Sequence, residues 1–209
     1  VEQRSLAFGA PDNDRFVVLQ YHLANQGATN LTNLYAGVYC DFDIVSSGAN
    51  FGGTDPARKL TYMYSNGGPY CGIALLGGAS PANLTLVNNT TYVFPTLAIT
   101  DANKIALLKG QISVPTAGTA SDWSALTSVR VNLPAGGEAT VAYAVAYGAT
   151  LADLQAAIDA ANALYTPVAA VGPDLPYRQL RLAPNQPNPF NPATTITYEL
   201  ARDGRARLE

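Results

Sequence analysis

Leu34, Tyr35, Ala36, Gly37, Val38, Tyr39, Cys40, Asp41, Phe42, Asp43, Ile44 and Val45 form the stretch on which the fold of this chain turns. Leu34, Ala36, Val38, Cys40, Phe42 and Ile44 fall on every second position. A period of two is that of a strand with one buried face, and Val, Ile, Tyr and Phe favour strands. Upstream, Phe16 to Ala24 repeats the pattern. Val17, Leu19, Tyr21 and Leu23 point one way, and Phe16, Val18, Gln20 and His22 the other. Turn residues at 11–14 and 25–27 bound it, and 1–10 reads as a short edge strand. Downstream, Ser46 to Thr54 is rich in Gly, Ser and Asn and reads as a loop. Leu60 to Tyr64 and Tyr70 to Leu76 flank Ser65-Asn-Gly-Gly-Pro69, a hairpin signal. Short strands are expected at Thr90 to Phe94, Gln111 to Val114 and Val129 to Leu133, with a short helix at Asp101 to Lys109. The turn Pro134 to Gly137 leads into another alternating strand, Ala139 to Tyr147. Many short strands broken by Gly and Pro predict a mainly β chain: an antiparallel β-sandwich of jelly-roll or immunoglobulin-like type.

One long helix follows. Thr150 is placed to cap it and Asp153 to reinforce its first turn. Leu151, Leu154, Ile158, Ala161 and Tyr165 recur at three- and four-residue spacing, which gives one apolar stripe. The sandwich with its closing helix is thus assigned to residues 1–165. Residues 166–179, with Pro167, Gly172, Pro173 and Pro176, read as a semi-extended linker. In the tail, 180–209, the prolines at 184, 187, 189 and 192 exclude a helix. A strand is expected from Thr194 to Leu200, then a turn at Ala201 to Gly204 and the start of a second strand. Such a hairpin is marginal alone, so Phe190, Ile196, Tyr198 and Leu200 need a covering surface.

Of the 209 residues, 48% are hydrophobic and only 13% charged, below the usual quarter. Asn, Thr, Tyr and Gly carry much of the polar surface, as suits an extracellular β protein. A net charge of -3 offers no basic field for nucleic acid. No apolar run reaches the length of a membrane span. The chain begins at Val1, which reads as a mature or processed product.

The chain has two cysteines, Cys40 and Cys71, each in a strand-like run. Two isolated cysteines make neither a zinc site nor a redox CxxC motif. They are read as a disulfide between neighbouring strands, the alternative being two buried thiols. Closing a loop of this length stabilises by about 3–4 kcal/mol in the chain-entropy model.

Catalytic constellations are scarce. The one histidine, His22, lies mid-strand, and there is no G-x-S-x-G turn. No enzymatic activity and no organic cofactor are expected. Asp41 and Asp43 project from one strand face, and Asp55 follows the next loop. With Asp12 and Asp14 at a turn, they raise the possibility of calcium, which takes several oxygen ligands from loops and strand ends. The alternative is a solvated carboxylate pair that anchors the loop. The tyrosines offer a glycan-binding surface, the alternative being half-buried sheet residues.

Asn185-Gln-Pro-Asn-Pro-Phe-Asn-Pro-Ala-Thr-Thr-Ile196 resembles the opening of the immunoglobulin-like modules that end many secreted bacterial proteins. These are related to the flagellar hook-capping immunoglobulin-like domain and to the sorting domains of type IX secretion. The resemblance spans about thirty residues of an incomplete module. It implies an exported, non-catalytic end-piece that is processed, attached or assembled outside the cell. Phe16 to Tyr21, Asn33 to Ile44, Asp122 to Ser124 and Val141 to Val145 are, in pattern and order, similar to a β module that follows the catalytic domain of secreted subtilisin-like peptidases. A bacterial source makes the sequons at Asn30, Asn83, Asn88 and Asn89 an Asn/Thr-rich surface rather than glycan acceptors.

These readings combine into a non-catalytic structural module of the cell exterior. It is expected to self-assemble into an oligomer or filament when the tail adds a strand to a neighbouring copy. The alternatives are an accessory or sorting fragment of a secreted subtilisin-like peptidase, and a glycan- or calcium-binding adhesion module.

Overall fold

A computed structural model describes residues 1–10, 13–94, 98–169, 181–182 and 198–199. In chain order the elements are β1 (Glu2–Ala7), β2 (Phe16–Ala24), β3 (Leu31–Cys40), β4 (Asn50–Asp55), β5 (Leu60–Ser65), β6 (Tyr70–Leu75) and β7 (Pro81–Asn88). Two helices follow, α1 (Asn89–Tyr92) and α2 (Asp101–Leu108). Then come β8 (Trp123–Leu133), β9 (Glu138–Gly148) and the long helix α3 (Leu151–Ala169). Two short strands, β10 (Arg181–Leu182) and β11 (Tyr198–Glu199), lie in the tail. The chain divides into a unit of residues 1–166 and a unit of residues 167–209.

The first unit is an antiparallel β-sandwich. One layer has six strands in the order β1-β2-β9-β6-β5-β4, and the other has three in the order β3-β8-β7. The alternating residues of the sequence sort onto two cores. Leu34, Ala36, Val38, Cys40, Phe42 and Ile44 all turn inward between the sheets, with Met63, Ile73, Leu75, Val129, Val141 and Tyr143. The opposite face of the six-stranded sheet, with Phe16, Val18, Leu60, Ala74 and Ala144, is covered by Leu154, Ile158, Ala161 and Tyr165 of α3. The central strands of the six-stranded sheet are therefore buried on both faces. This explains why β2 is apolar on both sides, with Tyr21 and Leu23 in one core and Phe16 and Val18 in the other.

α3 starts as its sequence demands. The Thr150 hydroxyl accepts from the Asp153 amide at 3.1 Å, and the Asp153 carboxylate accepts from the Thr150 amide at 3.0 Å. This reciprocal box satisfies two amide donors at the helix start. The helix runs to Ala169, through Pro167 and into the segment expected to be a linker. A proline so near a helix end removes little more than its own amide bond.

Several local expectations are corrected. β3 ends at Cys40, so Asp41 to Val45 lie beyond the strand although their alternation persists. The expected loop at Ser46 to Thr54 contains β4, paired with β5 from Asn50↔Ser65 to Asp55↔Leu60. Its glycines serve close approach. A Cβ on Gly52 would stand 2.6 Å from both Leu86 Cδ2 and the Tyr62 carbonyl oxygen. The expected strand at Thr90 to Phe94 is instead α1, because the Asn88 side chain accepts from the Thr91 amide at 3.3 Å and caps a helical turn. Gln111 to Val114 is not a strand, and Val129 to Leu133 is the end of the longer β8.

Among the described residues, one flank of the sandwich is closed and the other open. The edges of β4 and β7 are joined by the segment 114–121. Ala117 donates to the Gly52 carbonyl at 3.0 Å, Ser121 to Asn50 at 3.1 Å, and Leu86 to Val114 at 2.9 Å. The far flank ends in β1 in one layer and β3 in the other, each with one neighbour among the described residues. In the second unit, β10 and β11 pair antiparallel, Arg181 with Glu199 and Leu182 with Tyr198. Among the described residues no helix is long and apolar enough to cross a membrane.

Candidate functional site

The β3–β8 pairing brings together residues far apart in sequence at one end of the small sheet. Asp41 and Asp43 follow β3, and Asp122 immediately precedes β8. One carboxylate oxygen from each lies within 4.8 Å of the others. Asn89, only 1% exposed, organises the group. Its amide nitrogen donates to Asp122 Oδ1 at 2.5 Å and to Asp41 Oδ2 at 3.2 Å. Its carbonyl oxygen accepts from the Tyr39 hydroxyl at 2.7 Å and the Ser124 hydroxyl at 2.9 Å. Partial burial, then the charges of Asp43 and Asp122, push the Asp41 carboxyl above its ordinary range. Burial, with Asp41 and Asp122 nearby, likewise raises the Tyr39 phenol, against the Ser124 hydrogen bond. No Lys or Arg among the described residues bridges these three acids. Three carboxylate oxygens this close have the chemistry to share one divalent cation, and Asn89 already serves as their hydrogen-bonding counterpart.

Asp55, expected with Asp41 and Asp43, belongs elsewhere. It ends β4 and caps a 3-10 turn at Pro56–Arg58, accepting from the Ala57 amide at 3.1 Å and the Arg58 amide at 3.3 Å. The Arg58 guanidinium reaches Asp55 at 3.0 Å and forks onto Asp159 of α3 at 2.9 and 3.0 Å. Gln155 of α3 also donates to Asp55, at 3.0 Å. Burial alone would raise Asp55, but these hydrogen bonds win and hold it below its ordinary value. It is a clasp between β4 and α3. Asp122 is the acid that sequence reasoning missed as a ligand, since only the β3–β8 register places it there.

Cys40 and Cys71 lie in different sheets, not in neighbouring strands of one sheet. Cys40 pairs with Ala125 in the small layer and Cys71 with Tyr147 in the large one, and both side chains pack on the core between them. The alternation of β3 decides this, because it turns Cys40 inward toward the opposite layer. Both are free thiols. Burial, then the proximity of Cys71, pushes the Cys40 thiol up to about 11, and burial raises Cys71.

His22 Nε2 lies 3.4 Å from the Glu138 carboxylate on the sheet surface. Asn83 and Asn89, expected at the surface, are buried, at 6% and 1% exposure. The Asn83 amide donates to the Leu107 and Ile112 carbonyls at 2.6 and 2.9 Å and pins the α2 connection. The tyrosines form a row across β4, β5 and β6. Phe51 stacks on Tyr64 at 5.5 Å between ring centroids, and Tyr64 on Tyr70 at 4.8 Å. Tyr62 lies 6.3 Å from both Tyr64 and Tyr70. The central rings spend their faces on one another, and those faces are what a sugar would use. Of the expected assembly residues, Tyr198 sits in β11 opposite Leu182. Phe190, Ile196 and Leu200 lie outside the described residues, as does Asp12.

The open flank is the other distinctive surface. Tyr143 of β9 bonds to Ala36 of β3, so β3 lies over β9 while β2 and β1 continue past it. Leu34, Ala36 and Val38 face the core yet are only half-buried. Across from them on β2, Leu19 and Tyr21 are half-buried and Val17 is 38% exposed. No protein-family model matches the chain, and no curated protein matches it.

Proposed function

We propose that the chain is a non-catalytic structural module of the cell exterior, which assembles when its C-terminal tail adds a strand to a neighbouring copy. The observation that carries this reading is the division of the chain into a sandwich at 1–166 and a separate tail unit at 167–209. The sandwich has its own two cores and its own closing helix. Within the tail, the described pairing is the two-residue ladder between β10 and β11. That is too short to stand alone in water. Ile196, Tyr198 and Leu200 then need a surface that a second molecule supplies. The low charge content and the resemblance of the tail to export modules support an extracellular setting.

The test is the mass of the full-length chain by sedimentation velocity over a wide concentration range. Assembly that rises with concentration, and is lost when Ile196 and Leu200 are replaced by Asp, supports the reading. A chain that stays monomeric throughout, or a doubly substituted chain that assembles as before, overturns it.

A further inference from the structure

We infer that the free edge of β3, with the overhanging inner face of β1 and β2, is the acceptor that takes Thr194 to Leu200 from a second copy. This rests on the tail-assembly reading and assigns its docking site. Three features of the open flank converge. First, β3 has β8 on one side and no strand on the other among the described residues. Second, its ten residues, Leu31–Cys40, include no charged side chain. Edge strands are ordinarily protected by charge, and a long uncharged edge is open to pairing. β1, the other edge on this flank, has that protection: Glu2, Gln3, Arg4 and Ser5 are exposed, and Arg4 pairs with Glu2 at 3.1 Å. Third, six strands face three, so the inner face of β2 is left with Val17, Leu19 and Tyr21 incompletely covered.

A strand laid beside β3 would meet both needs. Its backbone would complete the β3 ladder, and its inward side chains would rest on Val17, Leu19 and Tyr21. The incoming segment must bring three apolar residues on one face. Ile196, Tyr198 and Leu200 have that spacing. Thr194 to Leu200 matches the length of Leu34 to Cys40, the part of β3 with unbroken register, roughly 23 Å at about 3.3 Å per residue. Pairing with β10 uses one edge of β11, and β3 would take the other.

The experiment uses the full-length chain. Hydrogen exchange of residues 31–40 is followed from dilute to concentrated protein, beside sedimentation velocity of the wild type, Val17→Lys and Leu19→Lys. Val17 is exposed enough for its lysine variant to fold, and circular dichroism with a thermal melt checks this for both. The expected result is slowing of β3 exchange on the order of tenfold or more on assembly, and loss of assembly in both variants. If the wild type assembles and Ile196→Asp with Leu200→Asp abolishes this, but β3 exchange is unchanged and both lysine variants assemble, the acceptor site is wrong while the tail reading survives. If β3 is protected equally in the dilute monomer, the donor is the chain's own tail and the second-copy assignment fails. If nothing assembles, both fail.

Discussion

The hydroxyl of Tyr143, at the centre of the six-stranded layer, donates to the carbonyl oxygen of Ala36 in the three-stranded layer at 3.0 Å. Tyr143 is fully buried, and Tyr21 packs edge-on against its ring at 6.3 Å between centroids. Burial raises its phenol far above the ordinary value, so it stays a neutral donor at any physiological pH. This bond ties β9 to β3, whose other edge has no strand beside it among the described residues.

Removing that hydroxyl takes away the donor that crosses between the sheets. Tyr143→Phe keeps the ring and leaves the Ala36 oxygen without this donor. The expected cost is about 1–3 kcal/mol, read as a lower melting temperature with an unchanged β spectrum. Exchange should rise most in β3. A melting temperature equal to the wild type would contradict the cross-sheet bond.

The acidic group makes a prediction with a definite sign. The folded state holds a proton on Asp41 more tightly than the unfolded state does. The associated stabilisation is present below the unfolded pKa and is lost as pH rises through the folded one. At neutral pH, without divalent cations, Asp41 is a net repulsive charge. Asp41→Asn keeps an oxygen for the Asn89 amide and removes the charge. It should therefore melt higher than the wild type at pH 7 in chelator, with the gap narrowing on acidification through the carboxylate range. A variant that melts lower at pH 7, or a gap that widens toward acid, would count against the described cluster.

Both thiols pack on the core between the sheets, and the raised Cys40 thiol should be slow to ionise and to react at neutral pH. Native protein should accordingly alkylate far more slowly than unfolded protein at pH 8. Oxidation should then remove two hydrogens from the intact mass and stabilise by about 3–4 kcal/mol, an effect absent in Cys71→Ser. Oxidised protein with free thiols after unfolding would rule the bond out.

What could be read from the sequence was what is local. The inward row from Leu34 to Ile44, the two faces of β2, the β5–β6 hairpin, α2 and the α3 cap all follow from spacing within a dozen residues. β4 was hidden because Gly52 and Gly53 look like loop residues, and only the packing of Leu86 and Tyr62 explains them. α1 was hidden because its Asn and Thr residues favour strand or surface until Asn88 caps the turn and Asn89 finds Asp122. The acidic group was half legible. Asp41 and Asp43 share a face by alternation, whereas Asp122 joins them only through pairing between distant strands, and Asp55 is drawn away by Arg58 and Gln155.

The seat of α3 yields the sharpest test of the sandwich itself. Gly148 ends β9 opposite Tyr70, directly beneath the first turn of the helix. A Cβ there would stand 2.2 Å from the Leu154 amide nitrogen and 2.8 Å from the Asp153 carbonyl carbon. These are backbone atoms and cannot swing aside as a side-chain tip can. Gly148→Ala must therefore lift the helix start, strain the Thr150–Asp153 box and loosen Leu154 and Ile158 from the sheet. Overpacking of this kind costs about 1–3 kcal/mol, and the loss of a helix cap can add about 1 kcal/mol. Gly78 is the control, since nothing lies within 4 Å of its added Cβ. The expected outcome is a clear fall in melting temperature for Gly148→Ala and little change for Gly78→Ala. Equal melting of the two variants would mean that α3 does not rest on the end of β9.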